Sequence, residues 1–177
     1  MPSPHVQPFN GVSPYAALLE VRDGRVVYRD GVTRRKKVAI CGSAGVATVP
    51  VEDETFEIWL INNFFNSGRD SQNRIAASRW WEMHQIRPDA AGGEAGKIIQ
   101  DAQDLDWITR CPVPIYTTEP WPANPNAVVW PIRHFADKYR DYFTCSFAMM
   151  ILQAFDEGFE ELHVYGLELL LGTKREA

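Results

Sequence analysis

Two kinds of apolar spacing divide the chain. Leu18–Arg22 and Arg25–Arg29 mix apolar and polar residues on either side of Asp23-Gly24. Both central positions of a tight hairpin turn want positive φ, and Asp-Gly supplies it. Residues 17–29 therefore predict a β-hairpin, closed by a second Asp-Gly at Asp30-Gly31. From residue 36 the runs become mostly apolar. Lys37–Cys41 predicts a first strand, Phe56–Ile61 a second and Arg79–His84 a third, as a sheet buried on both faces requires. Ile98, Ile99, Ala102, Leu105 and Ile108 fall near helical spacing. Phe147, Met150, Ile151, Ala154 and Phe155 do so more clearly, with Thr144 placed to cap the helix and Gly158 to stop it. Glu161–Gly166 then reads as a strand.

Proline interrupts this pattern twice. Pro2, Pro4, Pro8 and Pro14 favour an extended N-terminal arm. The stretch "CPVPIYTTEPWPANPNAVVWP" allows short strands at Pro114–Thr117 and Ala127–Trp130 and leaves the rest irregular. Helix, glycine and strand at the end form the second half of a parallel β-α-β unit whose first half begins at Lys37. The expected fold is α/β, an open and mostly parallel Rossmann-like sheet over residues 36–177. Residues 1–35, the arm and hairpin, extend it at the N-terminus.

Composition narrows the function classes. The chain has 177 residues, 45% of them hydrophobic, enough for one packed domain. A net charge of −5 argues against a nucleic-acid binder that works by neutralising phosphates. The one dense basic run, Arg34-Arg35-Lys36-Lys37, reads as a solvated approach to the first strand or as a phosphate-binding patch. Cys41, Cys111 and Cys145 show no C-x-x-C spacing, which fits neither a disulfide framework nor a zinc site. Their usage suits a reducing, cytoplasmic compartment. Cys41 and Cys145 lie in apolar runs and read as buried thiols. The start, "MPSPHVQPFNG", has neither the basic nor the apolar region of a secretory signal. No stretch approaches the roughly 20 apolar residues of a membrane span.

In an open parallel sheet, ligands bind at the carboxyl ends of the strands, beside the point where strand order reverses. Strand one ends in Gly42-Ser43-Ala44-Gly45, strand two in Asn62-Asn63, strand three in His84 and the last in Gly166-Leu167-Glu168. Thr144-Cys145-Ser146 open a helix whose N-terminal N–H groups suit an anion. Each residue has a plainer reading. Gly42 and Gly45 can simply turn the chain, and Asn62 can be a turn former. His84 can be a hydrogen-bonded structural histidine, sharing a strand face with Glu82. Met149 and Met150 read as core filler. Trp80, Trp81 and Trp121 either pack or stack a base or sugar. G-S-A-G lacks the three-glycine dinucleotide fingerprint, and no phosphate-loop motif or D-x-D metal pair occurs.

The linear order of these motifs is more informative than any one of them. A glycine turn after strand one, "IWLIN" closing strand two, "RWWEMH", "TCSFAMM" and "GFEELHVYGLE" together resemble a family of bacteriophage and prophage proteins with a Rossmann-like domain. More remotely, residues 36–170 resemble the small bacterial sialyltransferases. That resemblance implies a nucleotide-sugar-dependent glycosyltransferase, with a cytidine-nucleotide sugar as donor substrate and hydrogen-bond donors or a metal at the departing phosphate. It would place Gly42, Ser43 and Gly45 at the nucleotide phosphate, and Asn62 on the nucleotide or donor sugar. Thr144 and Cys145 would contact the donor, and Gly166, Leu167 and Glu168 would border the nucleoside. The terminal Asp of that motif is Glu168 here, and the Ser of its Thr-Ser pair is Cys145. Those enzymes keep their catalytic histidine downstream, whereas this sequence ends at Ala177. Three expectations stay open: the chain is shortened, His84 or His134 takes over with Glu168, or catalysis is absent. The alternative is a non-catalytic phage module that binds a nucleotide or a host protein, with the hairpin as a route to a homo-oligomer.

Overall fold

The computed structural model describes residues 18–42, 49–50, 53–62, 77–84, 102–140, 143 and 145–167. Eight strands and three helices are described: β1 (Leu19–Arg22), β2 (Arg25–Tyr28), β3 (Lys37–Cys41), β4 (Phe56–Ile61), β5 (Arg79–Glu82), α1 (Ala102–Arg110), β6 (Ile115–Thr117), β7 (Ala127–Val129), α2 (Ile132–Tyr139), α3 (Ser146–Asp156) and β8 (Glu161–Tyr165). β1 and β2 form the antiparallel hairpin, turned by Asp23 at φ 52° and Gly24 at φ 70°. The other six strands form one sheet in the order β7-β6-β5-β4-β3-β8. Every pairing in it is parallel. The chain steps outward from β3 to β7, then returns across the sheet to lay β8 on the far side of β3. This is the α/β, Rossmann-like sheet with an N-terminal hairpin that the sequence predicts.

Side chains alternate between the two faces of a strand, so the sheet feeds two cores. Ala39, Ile58, Leu60, Trp80 and Ile115 pack on one face with α1 residues Leu105, Trp107 and Ile108. Val38, Ile40, Trp59, Trp81 and Tyr116 pack on the other with Phe135 of α2 and Met150 and Ala154 of α3. Trp59, Trp80 and Trp81 are fully buried. Each removes about 150–250 Å² from water, a transfer gain of about 4–6 kcal/mol before the entropy of ordering. Packing thus accounts for Trp80 and Trp81. Trp121 is partly buried against the α1 core, and its Nε1 donates to Thr109 Oγ1 at 3.2 Å.

The helix α2, which carried no expectation, follows the proline-rich stretch directly after Pro131, with Phe135 as its buried anchor. Two sequence expectations need correction. β5 stops at Glu82 rather than His84. Cys145 is exposed, not buried. It occupies the N-cap of α3 in an extended conformation, with no side-chain cap bond, ahead of the buried positions Met150, Gln153 and Ala154. Cys41 and Cys111 are buried, and burial pushes the Cys111 thiol up to about 12.

The basic run ahead of β3 is used structurally. Arg35 Nη1 donates to the Phe56 carbonyl at 2.6 Å, Lys36 pairs with Glu160 at 2.5 Å and Lys37 with Glu161 at 2.9 Å. The Arg34 guanidinium lies over the Phe159 ring. These contacts tie the start of β3 to β8 and β4. Among the described residues no helix is long and apolar enough to cross a membrane.

Candidate functional site

Parallel pairing brings the carboxyl ends of β8, β3, β4, β5 and β6 into one row, with neighbours about 4.8 Å apart. Gly166, Gly42, Asn62 and His84 therefore follow one another along the edge. Ser43, Gly45, Thr144 and Glu168 lie outside the described residues.

Strand order reverses between β3 and β8, and there the edge is filled by the protein itself. Gly42 N–H donates to the Tyr165 carbonyl at 2.9 Å. A Cβ added at Gly42 would lie 2.6 Å from the Gly166 carbonyl oxygen and 2.7 Å from the Phe147 ring, in the first turn of α3. Close approach of backbone and ring therefore demands glycine here, whatever else the turn does. Cys145 stands at the head of the same helix.

One strand over, Asn62 adopts a left-handed conformation, φ 49°. Asparagine tolerates that region better than most residues. Its carbonyl accepts from Trp80 Nε1 at 3.0 Å. Its side-chain Oδ1 is buried and has no hydrogen-bond partner among the described residues, as is true of Trp81 Nε1 on the neighbouring strand. Unpaired buried groups are few in native proteins, and each asks for an explanation.

The next strand end carries the clearest chemistry. Glu82 Oε1 lies 2.6 Å from His84 Nδ1 and also accepts the His84 backbone N–H at 3.1 Å. Glu82 belongs to β5 and its side chain is 4% exposed, whereas His84 follows the strand and is 30% exposed. Thr118 Oγ1 donates to the His84 carbonyl at 3.2 Å and fixes the loop from the β6 side. An ionised carboxylate only accepts, so in this contact Nδ1 carries the proton. The pair forms across the strand end: Glu82 is the last residue of β5, and His84 turns back on it through its backbone N–H and Nδ1. His134, the other candidate base, lies elsewhere: its Nε2 contacts Asp156 at 3.0 Å, at the far end of α3.

A second polar cluster, at the amino ends of the strands, was not visible as a motif. Arg79 is 1% exposed and sits between two carboxylates. Its Nε donates to Glu57 at 2.9 Å; Nη1 and Nη2 donate to Glu157 at 2.5 and 2.7 Å. Glu57, wholly buried in β4, also accepts from Trp59 Nε1 at 2.8 Å and from the Tyr28 hydroxyl of the hairpin. Burial disfavours the charged form of Glu157, but the Arg79 guanidinium outweighs it and holds the carboxyl below its ordinary range. Burial likewise opposes the charge on Arg79, and the two carboxylates overcome it. Burial pushes the Tyr28 and Tyr116 phenols up. A charge inside an otherwise apolar strand, as Glu57 is, was the available signal, because such a residue needs a buried partner. Among the described residues no group of histidines, cysteines and carboxylates is arranged to hold a metal ion.

No protein-family model, curated protein or solved structure matches this chain.

Proposed function

We propose that the chain binds a nucleotide-bearing donor at the carboxyl edge of its parallel sheet, and that His84 acts there as a general base on an acceptor hydroxyl. The observation that carries this reading is the Glu82–His84 pair at 2.6 Å, with the carboxylate buried and the imidazole reaching the surface. In a glycosyl transfer, Nε2 takes the acceptor proton while the acceptor oxygen bonds to the sugar's anomeric carbon. The anomeric C–O bond breaks, and its electron pair leaves with the nucleotide phosphate. Glu82 acts as a positioning residue: it sets the tautomer and stabilises the imidazolium that forms. Asn62 Oδ1, a buried acceptor without a partner among the described residues, suits a donor group on the base or sugar. The choice of ligand follows from the resemblance in motif order read from the sequence; fold alone would not give it.

Calorimetric titration with cytidine and uridine nucleotides and their sugar conjugates tests the reading. Binding is expected for at least one, weakened about tenfold by Asn62→Ala, the loss of one hydrogen bond at about 1.4 kcal/mol. His84→Gln should keep that binding and lose turnover, and Glu82→Gln should lower turnover without weakening the donor. No heat with any of these nucleotides at millimolar concentration would sink it. The packing that fills Gly42 favours a second reading, a non-catalytic binding module, in which His84→Gln changes nothing measurable.

A further inference from the structure

A cavity of about 670 Å³ lies between the hairpin, the α2–α3 face of the sheet and the end of α3. That volume is in the range of small-molecule sites, about 300–1,000 Å³. Its lining runs from Arg79 at the start of β5 to Val128 and Val129 of β7 and does not include Glu82 or His84. Its walls combine apolar groups, Val26, Val128 and Phe135, with polar ones from Tyr116, Gln153 and Glu157.

At the buried end of this cavity the open hydrogen-bonding capacity is acceptor capacity. The buried cation there, Arg79, already donates from Nε, Nη1 and Nη2 to Glu57 and Glu157, which leaves little for an anionic ligand. Acceptor capacity remains. Glu157 is the member of the cluster that opens outward, at 21% exposed against 1% for Arg79 and 0% for Glu57. Its oxygens receive Arg79 and Gln153 Nε2, short of the four bonds that a carboxylate can accept. Gln153 Oε1 takes one bond, from Trp130 Nε1. Two carboxylates also share one guanidinium. Arg25 and Arg34, both exposed, supply donors at the rim, and Arg34 attracts Glu157 through solvent. His134 and Lys138 both serve Asp156.

We propose that this cavity binds a small organic cation, an ammonium or guanidinium group on a short apolar stem, with Glu157 as its counter-ion. The stem lies along Val26 and Val128. The site is independent of the carboxyl-edge reading and is read through different residues.

Methyl NMR of the intact chain tests it, with Val26 and Val128 as reporters. The probes are n-butylammonium chloride and agmatine sulfate, with sodium pentanoate and n-butanol as anionic and neutral controls. Saturable shifts are expected with the two cations, and binding about tenfold weaker or worse with the controls. Glu157→Gln should weaken the cations about tenfold. Val129→Trp, at an exposed lining position, should block them without touching the buried cluster and with an unchanged Tm, and it carries the test if Glu157→Gln does not fold. Pentanoate binding as tightly as butylammonium, shifts that survive Val129→Trp, or no saturable shift with either cation would each overturn the proposal.

Discussion

The two ends of β5 bury opposite charges in opposite ways. At the amino end Arg79 is enclosed, with its guanidinium spent on Glu57 and Glu157 and the hairpin tied in through Tyr28. At the carboxyl end Glu82 is as deeply placed, but its partner His84 emerges to the surface. The first arrangement fastens hairpin, sheet and the end of α3 together. The second sets a buried carboxylate against an imidazole that reaches the surface. The lesson is that burial of a charge says little about its role until its partner's exposure is known.

Arg79→Met should break the comparison most forcefully. It strands two buried carboxylates, at a cost of about 3–5 kcal/mol, read as a lower urea midpoint. Adding Glu57→Gln and Glu157→Gln should restore part of that loss. A cost as small as that of a surface substitution would show that the amino end is not a fastening.

Gly42→Ala probes whether the carboxyl edge also has structural content. Its Cβ would meet the Gly166 carbonyl and the Phe147 ring, so a loss of about 1–3 kcal/mol is expected. Phe147→Leu in the same chain should relieve part of it, because the ring is the contact that can shrink. A neutral Gly42→Ala would mean that this edge is open enough to admit a ligand at the turn itself.

The smallest effect is on acid stability. The folded carboxyl of Glu157 lies below its ordinary value of 4.5. Its stabilisation is therefore fully present above pH 4.5 and is lost as pH falls through the lower folded value. Denaturation from pH 6 downward should show this limb in the wild type and lose it in Glu157→Gln. Equal slopes in both would remove Glu157 from the fastening.

Much of this was legible in the sequence, for identifiable reasons. The bounds of β3 and β4 follow from runs buried on both faces, and Asp23-Gly24 announces its own turn. Glu82 and His84 meet as the i, i+2 spacing suggested, although β5 ends at Glu82 and the contact is made by the turn after it. α2 was obscured because Pro-rich chain runs up to it and a single residue, Phe135, is fully buried in it. The cue was Pro131 itself, since proline is favoured at a helix start. The Glu57–Arg79–Glu157 cluster draws on a strand, another strand and a helix end far apart in the chain. Sequence spacing cannot reveal such a meeting, although Glu57 inside an apolar run showed that some partner had to exist. Gly42 looked like a phosphate turn because glycine serves both close packing and ligand approach.

The pairing of β3 with β8 has a consequence for how the chain reaches its fold. The contact between Lys36 and Glu160 spans 124 positions. At synthesis rates of about 5–20 residues per second, β3 waits roughly 6–25 s for the strand that closes its second edge. During that interval Val38, Ala39 and Ile40 present an unpaired apolar border, the kind that recruits strands from other chains. The lysines and arginines just ahead of β3 carry charge at that border before Glu160 and Glu161 arrive, and so guard the nascent chain against self-association.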